Sequence, residues 1–198
     1  MKIILSTRNP SKGEQVKAIF EGTRFSILTL TDAGIEGEAV EDGKTLKDNA
    51  LKKALFAHDQ APDLWTMADD TGLFIEALDG EPGVRAARWA GETATTDEIT
   101  QYTLKRLHGA SNRTAIFETI VAVVTPQGGQ SFFSGKVRGR LLETPRVKPQ
   151  PKMPYSPLFI PDGESQVWAE MAVEYENKIS HRGKAFLQTR EFLKDQLG

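Results

Sequence analysis

Apolar residues fall in short runs along this chain, and their spacing alternates between the periods of strands and helices. Lys2–Leu5 is an apolar run that predicts a buried strand, and the polar stretch Ser6–Ser11 behind it predicts a turn. From Lys12 onward Val16, Ile19 and Phe20 share one helical face, with Gly22 closing the helix. Phe25–Leu30 alternates weakly and predicts a second strand, whereas the acidic, Gly-containing Asp32–Asp42 predicts a loop. Thr45–His58 has the strongest helical period. Leu46, Ala50, Ala54 and Ala57 recur on one face, and Lys47, Asn49 and Lys52 point elsewhere.

Leu64–Ala68 predicts a short strand that stops at Asp69-Asp70-Thr71-Gly72, and Leu73–Leu78 predicts another. Thr95–Leu107 predicts a helix capped by Thr93 or Thr95, with Ile99, Tyr102 and Leu107 at helical spacing. Thr114–Thr125 is rich in β-branched residues, turns at Pro126–Gly129 and resumes at Ser131–Leu142, which predicts a long antiparallel hairpin. Thr144–Pro161 holds many of the chain's prolines and predicts a loop. Gly183 opens a last helix with Phe186, Leu193 and Leu197 on one face. Strands alternating with helices, then a hairpin and a final helix, predict an α/β domain with a mixed central sheet and flanking helices.

Composition narrows the function classes. The 198 residues carry 25 Lys+Arg against 27 Asp+Glu, a net charge of −2, so nothing draws the whole chain to nucleic acid or an anionic membrane. A nucleic-acid partner is also disfavoured because aromatic and basic residues form no common stripe. No apolar segment is long enough for a membrane span, and the start MKIILSTRNP is too short in apolar residues for a signal peptide. There is no Cys, which removes disulfides, thiolate nucleophiles and thiolate metal sites. The expectation is a cytoplasmic globular protein whose metal, if it has one, is held by oxygen or imidazole.

Three polar constellations carry chemistry. Ser6-Thr7-Arg8-Asn9-Pro10-Ser11-Lys12 lies between a strand and a helix, where backbone N–H groups, hydroxyl and amide donors and two cations can converge on phosphate. It lacks the glycines and Lys-Thr/Ser pair of a Walker loop, and taken alone it reads sooner as an ordinary connection with Ser11 as N-cap. Glu41, Asp69 and Asp70 are carboxylates at loop and strand ends, the oxygen donors that Mg²⁺ prefers, and one of them could take a proton from water. Asp69-Asp70-Thr71-Gly72 also reads as a plain polar turn. Ser180-His181-Arg182-Gly183 at the start of the last helix, with Lys178 nearby, offers a further anion- or carbonyl-binding surface, or simply a capping sequence.

Taken together and in order, these segments resemble the inosine triphosphate pyrophosphatase (XTP/dITP diphosphatase) family over nearly the whole chain. Ser6–Glu14 is similar to its opening T-x-N-x-x-K-x-x-E type segment, and Glu41–Thr45 with Asp48-Asn49-Ala50 and Lys53-Ala54 to its E-x-G-x-T…E-N-A…K-A segment. Ala68–Leu73 is similar to A-D-D-[ST]-G-L, Pro82–Gly91 to P-G-V-x-S-A-R-[YW]-A-G with Ala86 in the Ser place, and Ile179–Ala185 to the S-H-R signature. The resemblance implies hydrolysis of non-standard purine nucleoside triphosphates such as dITP, ITP and XTP to monophosphate and pyrophosphate, cleansing the nucleotide pool. It implies that Thr7, Arg8, Asn9, Pro10, Ser11, Lys12 and Lys53 hold the triphosphate and that Thr71 touches substrate. It further implies that Glu41 and Asp70 bind Mg²⁺ with Asp69 assisting, that Asp70 activates the attacking water, and that Tyr155, His181 and Arg182 belong to the nucleotide pocket. The implied fold is one elongated domain over 1–198, two-lobed around a cleft, in a homodimer.

The base-recognition side departs from the family pattern. Where G-F-G-Y-D-P is usual the chain has Lys152-Met153-Pro154-Tyr155-Ser156-Pro157, so Met153 replaces the stacking ring, Pro154 a Gly and Ser156 the carboxylate. Glu176 stands where the family has Lys, with Lys178 displaced by two residues. Losing an aromatic stack weakens base binding by about 1–3 kcal/mol without touching the chemistry, and Met can still pack over a ring. The expectation is a competent pyrophosphatase with relaxed or altered base preference. The alternative is a non-catalytic nucleotide-binding protein, against which the retained Lys12, Glu41, Lys53, Asp69 and Asp70 argue.

Overall fold

A computed structural model describes residues 1–197. Seven strands form one sheet: β1 (Lys2–Leu5), β2 (Ser26–Thr29), β3 (Trp65–Ile75), β4 (Pro82–Gly83), β5 (Thr114–Val124), β6 (Gln130–Leu141) and β7 (Phe159–Pro161). Their order is β2-β1-β3-β5-β6-β7, with the short β4 paired beside β3. β1 runs parallel to β2 and β3, and β3, β5, β6 and β7 pair antiparallel. The helices are α1 (Pro10–Ile19), α2 (Leu46–Gln60), α3 (Thr96–Arg106), α4 (Val173–Ile179) and α5 (His181–Leu197). The mixed sheet with flanking helices is thus the fold class that the hydrophobic pattern predicts. Among the described residues no helix is long and apolar enough to cross a membrane.

Each layer follows from its side chains. α2 is closed at its N-terminus by a capping box in which Thr45 and Asp48 satisfy each other's backbone N–H. Its small residues Ala50 and Ala54 let it lie close on Ala68, Ala122 and Val124 of β3 and β5. On the opposite sheet face Val16 and Ile19 of α1 and Ala185, Phe186 and Leu193 of α5 pack on Ile3, Met67, Val121 and Val123. A separate core gathers Leu73, Ile75, Ile99, Phe117, Val137, Leu141, Phe159 and Trp168 at the far ends of β3, β5 and β6. Those three strands therefore run through both cores. The stretch of β3 between them is polar.

Several sequence expectations are corrected. Asp69-Asp70-Thr71-Gly72 is not a turn: β3 continues through it to Ile75, paired with β5 from Thr66↔Val124 to Ile75↔Ala115. Leu73–Leu78 is accordingly the end of that strand plus a 3₁₀ turn at Glu76–Leu78. Asn9, not Ser11, caps α1, its side-chain oxygen accepting from the N–H groups of Ser11 and Lys12 with Pro10 in the first turn. Thr95 is the cap of α3. The proline-rich loop does contain β7, and α5 begins two residues before Gly183.

Candidate active site

β1 stops at Leu5, opposite Met67, while β3 runs on. The Ser6 N–H still reaches the Met67 carbonyl (2.8 Å), and the chain then turns away into α1. Asp69 and Asp70 consequently have β5 on one side, at Val121 and Ile120, and among the described residues no strand on the other. A cavity of about 510 Å³ opens there. The rule that ligands bind beyond the carboxyl ends of parallel strands applies, with the end of β1 making the gap.

Neighbouring strand residues point to opposite sheet faces, and the two aspartates accordingly meet different helices. Asp69, 3% exposed, lies within 3.0 Å of the Lys12 ammonium from α1 and 3.3 Å of Arg182 Nε from α5. Asp70 accepts from Lys53 Nζ (2.7 Å) and from Asn49 Nδ2 (3.3 Å), both on α2 one turn apart. Lys53 also reaches Glu41 Oε2 at 3.4 Å, so Glu41 and Asp70 share one ammonium although they are distant in sequence. The loop that carries Glu41 is held at two points. Arg88 Nη2 donates to the Glu41 carbonyl (2.6 Å), and the Gly43 N–H donates to Asn49 Oδ1 (2.8 Å).

Burial and neighbouring charge set the protonation states. Burial raises the Asp69 carboxyl, but Lys12 and Arg182 outweigh it and hold the group well below the usual carboxylate range. For Asp70 burial wins over Lys53, and its carboxyl is raised. Burial lowers the Lys12 ammonium more than Asp69 raises it. Lys53 behaves oppositely: Asp70 and Glu41 outweigh its burial and keep it a cation. An aspartate with a raised carboxyl and one with a lowered carboxyl therefore sit side by side.

A chain of polar contacts leads from Asp69 along the wall. Thr71 Oγ1 lies 2.7 Å from Thr119 Oγ1, which lies 2.6 Å from His181 Nδ1, and the His181 ring stacks on Phe117 at 4.7 Å. Burial, then the Arg182 charge, lowers His181 well below 6.5, so its ring is neutral. Arg182 Nη1 donates to Gln15 Oε1 (2.8 Å), and Gln15 Nε2 donates to Glu176 Oε1 (2.6 Å). Burial raises the Glu176 carboxyl against the pull of Arg182. The turn that presents His181 and Arg182 depends on Gly183, where a Cβ would stand 1.9 Å from the Asn177 carbonyl oxygen.

The structure brings most of the expected residues into this cavity, but not all and not as expected. Thr7, Asn9, Lys12, Glu41, Lys53, Asp69, Asp70, Thr71, His181 and Arg182 line it. Pro10 and Ser11 are not among its lining residues, and Ser11 Oγ donates to the Pro151 carbonyl (3.1 Å). Arg8 lies at the rim with its guanidinium engaged by the Ile35 and Gly37 carbonyls. Tyr155 contributes a ring only: its hydroxyl donates to the Ala86 carbonyl (2.8 Å) and its ring packs edge-on to Phe117. Asp69 pairs with Lys12 and Arg182, whereas Glu41 and Asp70 pair with Lys53. Lys178 is exposed and absent from the lining. Sequence reasoning assigned no role to Asn49, Gln15, Thr119 or Trp168. Only Asn49 carried a signal, lying four residues before Lys53 on the same helical face.

The model of the Ham1 family matches residues 3–192. A dITP/XTP pyrophosphatase of Caldanaerobacter subterraneus subsp. tengcongensis is 38% identical over 199 residues, covering 100% of this chain and 98% of its own. One from Elusimicrobium minutum is 41% identical, covering 94% of this chain and 96% of its own. Among solved structures, a HAM1 protein from Coxiella burnetii superposes with a TM-score of 0.85 at 30% identity, covering 98% of this chain and 99% of its own. The Staphylococcus aureus Ham1 protein gives 0.82 at 26% identity, covering 99% of this chain and 100% of its own.

Proposed function

The chain belongs to the Ham1 family, and from that premise we propose that it is a nucleoside-triphosphate pyrophosphatase acting on non-standard purine nucleotides. The observation that carries the reading is the pair Glu41 and Asp70 converging on Lys53, in one cavity with Lys12, Arg182 and the start of α1. Glu41 and Asp70 offer the oxygen donors that Mg²⁺ prefers and would hold it beside the phosphate-binding surface. When bound there, Mg²⁺ supplies positive charge to the polyphosphate.

The chain's own residues do the rest. Lys12, Lys53 and the side chains of Thr7 and Asn9 bind the triphosphate oxygens and fix the tail. Asp70, raised by its burial, takes the proton of a water whose oxygen attacks the α-phosphorus. The bond from that phosphorus to the bridging oxygen breaks, and the electron pair leaves with pyrophosphate. Asp69 does not titrate in this scheme; it holds Lys12 and Arg182 in place as a fixed anion. His181 and Arg182 lie toward the nucleoside, and Thr71 with them. The two lobes flanking the cavity form one catalytic domain over residues 1–198, in a cytoplasmic homodimer that removes damaged nucleotides from the pool.

The test is pyrophosphate release from dITP, XTP and the standard nucleotides with and without Mg²⁺, with Asp70→Asn alongside. We expect Mg²⁺-dependent pyrophosphate and a fall of about 10²–10⁴-fold in the variant. Orthophosphate as the product, or undiminished turnover by Asp70→Asn, overturns the reading.

A further inference from the structure

Lys152 lines the cavity from the tip of a tight turn that the scheme above does not use. The Met153 N–H donates to the Gln150 carbonyl (3.0 Å) and closes the turn. Ser156 Oγ braces it, accepting from the Gln150 N–H (3.0 Å) and donating to the Met153 carbonyl (2.8 Å). The two tip residues, Pro151 and Lys152, dock their carbonyls on the first turn of α1. Pro151 accepts from Ser11 Oγ (3.1 Å) and Lys152 from Asn9 Nδ2 (3.4 Å). At Lys152 the backbone takes φ +57°, a region that a turn with Pro at its first tip position reserves for Gly. Asp79 is the other non-glycine with positive φ among the described residues, and its short polar side chain tolerates that region. Lys has no such latitude, and strain kept in this way clusters at functional sites.

Charge gives the strain a use. Arg8, Lys12, Lys53, Lys152 and Arg182 line the cavity, and four of the five are already committed. Lys12 and Arg182 pair with Asp69, Lys53 pairs with Asp70 and Glu41, and Arg8 donates to the Ile35 and Gly37 carbonyls. Lys152 bonds through its carbonyl; among the described residues its ammonium has no acceptor, and the residue is exposed. A cation that is already paired gives an incoming anion only the difference between the new bond and the old one. An unpaired cation gives the whole of it. The stem of Lys152 also starts beside Asn9, the cap of α1, where backbone N–H groups face the place proposed for phosphate.

We propose that Lys152 is a further specificity-determining residue, whose ammonium binds the polyphosphate tail from the loop side while the start of α1 binds it from the other. This role rests on the nucleotide reading given above and goes beyond it, because the family pattern has Gly at this position. The purchase is on phosphate rather than on the nucleoside, so a bare polyphosphate should feel Lys152 as strongly as a nucleotide does.

The experiment measures binding of inorganic tripolyphosphate and of inosine by calorimetry in EDTA, with the full-length protein, Lys152→Gly and Lys152→Arg. Lys152→Gly should weaken tripolyphosphate by about tenfold, the scale of a lost charge-assisted hydrogen bond, and leave inosine unchanged. Lys152→Arg keeps the charge and should recover most of the loss. In turnover of ITP, Lys152→Gly should raise KM more than it lowers kcat. A purely structural role predicts otherwise: Gly suits the positive φ, so Lys152→Gly should melt no lower than the wild type. Equal tripolyphosphate affinity in the wild type and Lys152→Gly overturns the proposal, as does no binding by the wild type. So does an equal loss for inosine, or a loss that Lys152→Arg shares in full. Failure to release pyrophosphate from any nucleotide would sink the activity instead, and leaves the tripolyphosphate comparison to decide the role of Lys152.

Discussion

Replacing Lys53 with Met tests the cation site without reference to turnover. Its ammonium lies 2.7 Å from Asp70 and 3.4 Å from Glu41, and the Lys53 and Asp70 side chains are about nine-tenths buried. Coulomb's law at an effective dielectric of about 20 gives roughly 6 and 5 kcal/mol for these two distances. The desolvation of Lys53 and Asp70 offsets most of the first, and Glu41, a third exposed, is screened in the second. Breaking such a buried pair from one side costs about 3–5 kcal/mol. For a chain of 198 residues, with about 2–4 °C per kcal/mol, Lys53→Met should melt roughly 6–20 °C below the wild type in EDTA.

Divalent cations should then reverse much of that loss. With the resident ammonium gone, Glu41 and Asp70 lose the cation they share. Mg²⁺ at about a hundredfold excess over its dissociation constant returns about 2.7 kcal/mol. The wild type should gain less, because Lys53 already neutralises the pair. Thermal unfolding by circular dichroism, titrated with MgCl₂ and with NaCl at matched ionic strength, reads both effects. A Mg²⁺-dependent gain in Lys53→Met no larger than in the wild type, or one that NaCl reproduces, refutes the argument that these carboxylates form a cation site.

Three further outcomes follow from the same geometry. Asn49→Ala removes the bonds to Asp70 and to the Gly43 N–H, and should cost about 2–4 kcal/mol by urea denaturation; since both bonds position site residues, kcat should fall more than KM rises. His181 is lowered well below 6.5 in the folded chain, so as pH falls through 6.5 the unfolded chain takes up a proton that the folded one refuses. That contribution is fully present above pH 6.5 and is lost below it at up to about 1.4 kcal/mol per pH unit, and urea midpoints of His181→Gln should lack this share of the wild-type decline. Gly183→Ala drives a Cβ to within 1.9 Å of the Asn177 carbonyl; overpacking of this kind costs about 1–3 kcal/mol, and nucleotide affinity should fall with it because His181 and Arg182 move with the turn.

How far the chain could be read beforehand depends on whether a feature is local. α2 and the β5–β6 hairpin were legible because their periodicity and caps lie within their own residues: Thr45–His58 became Leu46–Gln60, and the hairpin ends moved by a residue or so. Asp69–Gly72 was not, because its composition is that of a turn while its conformation is imposed by ten ladder pairs with β5, a tertiary partner that overrides local preference. The convergence of Glu41 and Asp70 was legible only through the resemblance. Gln15 and Glu176 lie 161 positions apart, and neither residue hints at the other. Tyr155 lines the cavity, while its hydroxyl has a backbone partner in Ala86 that no sequence pattern announces.

The unbroken course of β3 changes what the paired aspartates mean. In a turn, both carboxylates could swing to one metal. On a strand, successive side chains leave by opposite faces. One face is roofed by α1 and α5, the other by α2, and each helix layer brings its own cation: Lys12 and Arg182 to Asp69, Lys53 to Asp70. Two adjacent residues thereby acquire opposite shifts from opposite surroundings, one carboxyl lowered and the other raised. The gap left where β1 ends lets a single cavity reach both faces at this point and nowhere further back, where Leu5 and Met67 close the sheet. The position of the site is therefore set by strand length: β1 ends just short of the level at which β3 turns polar.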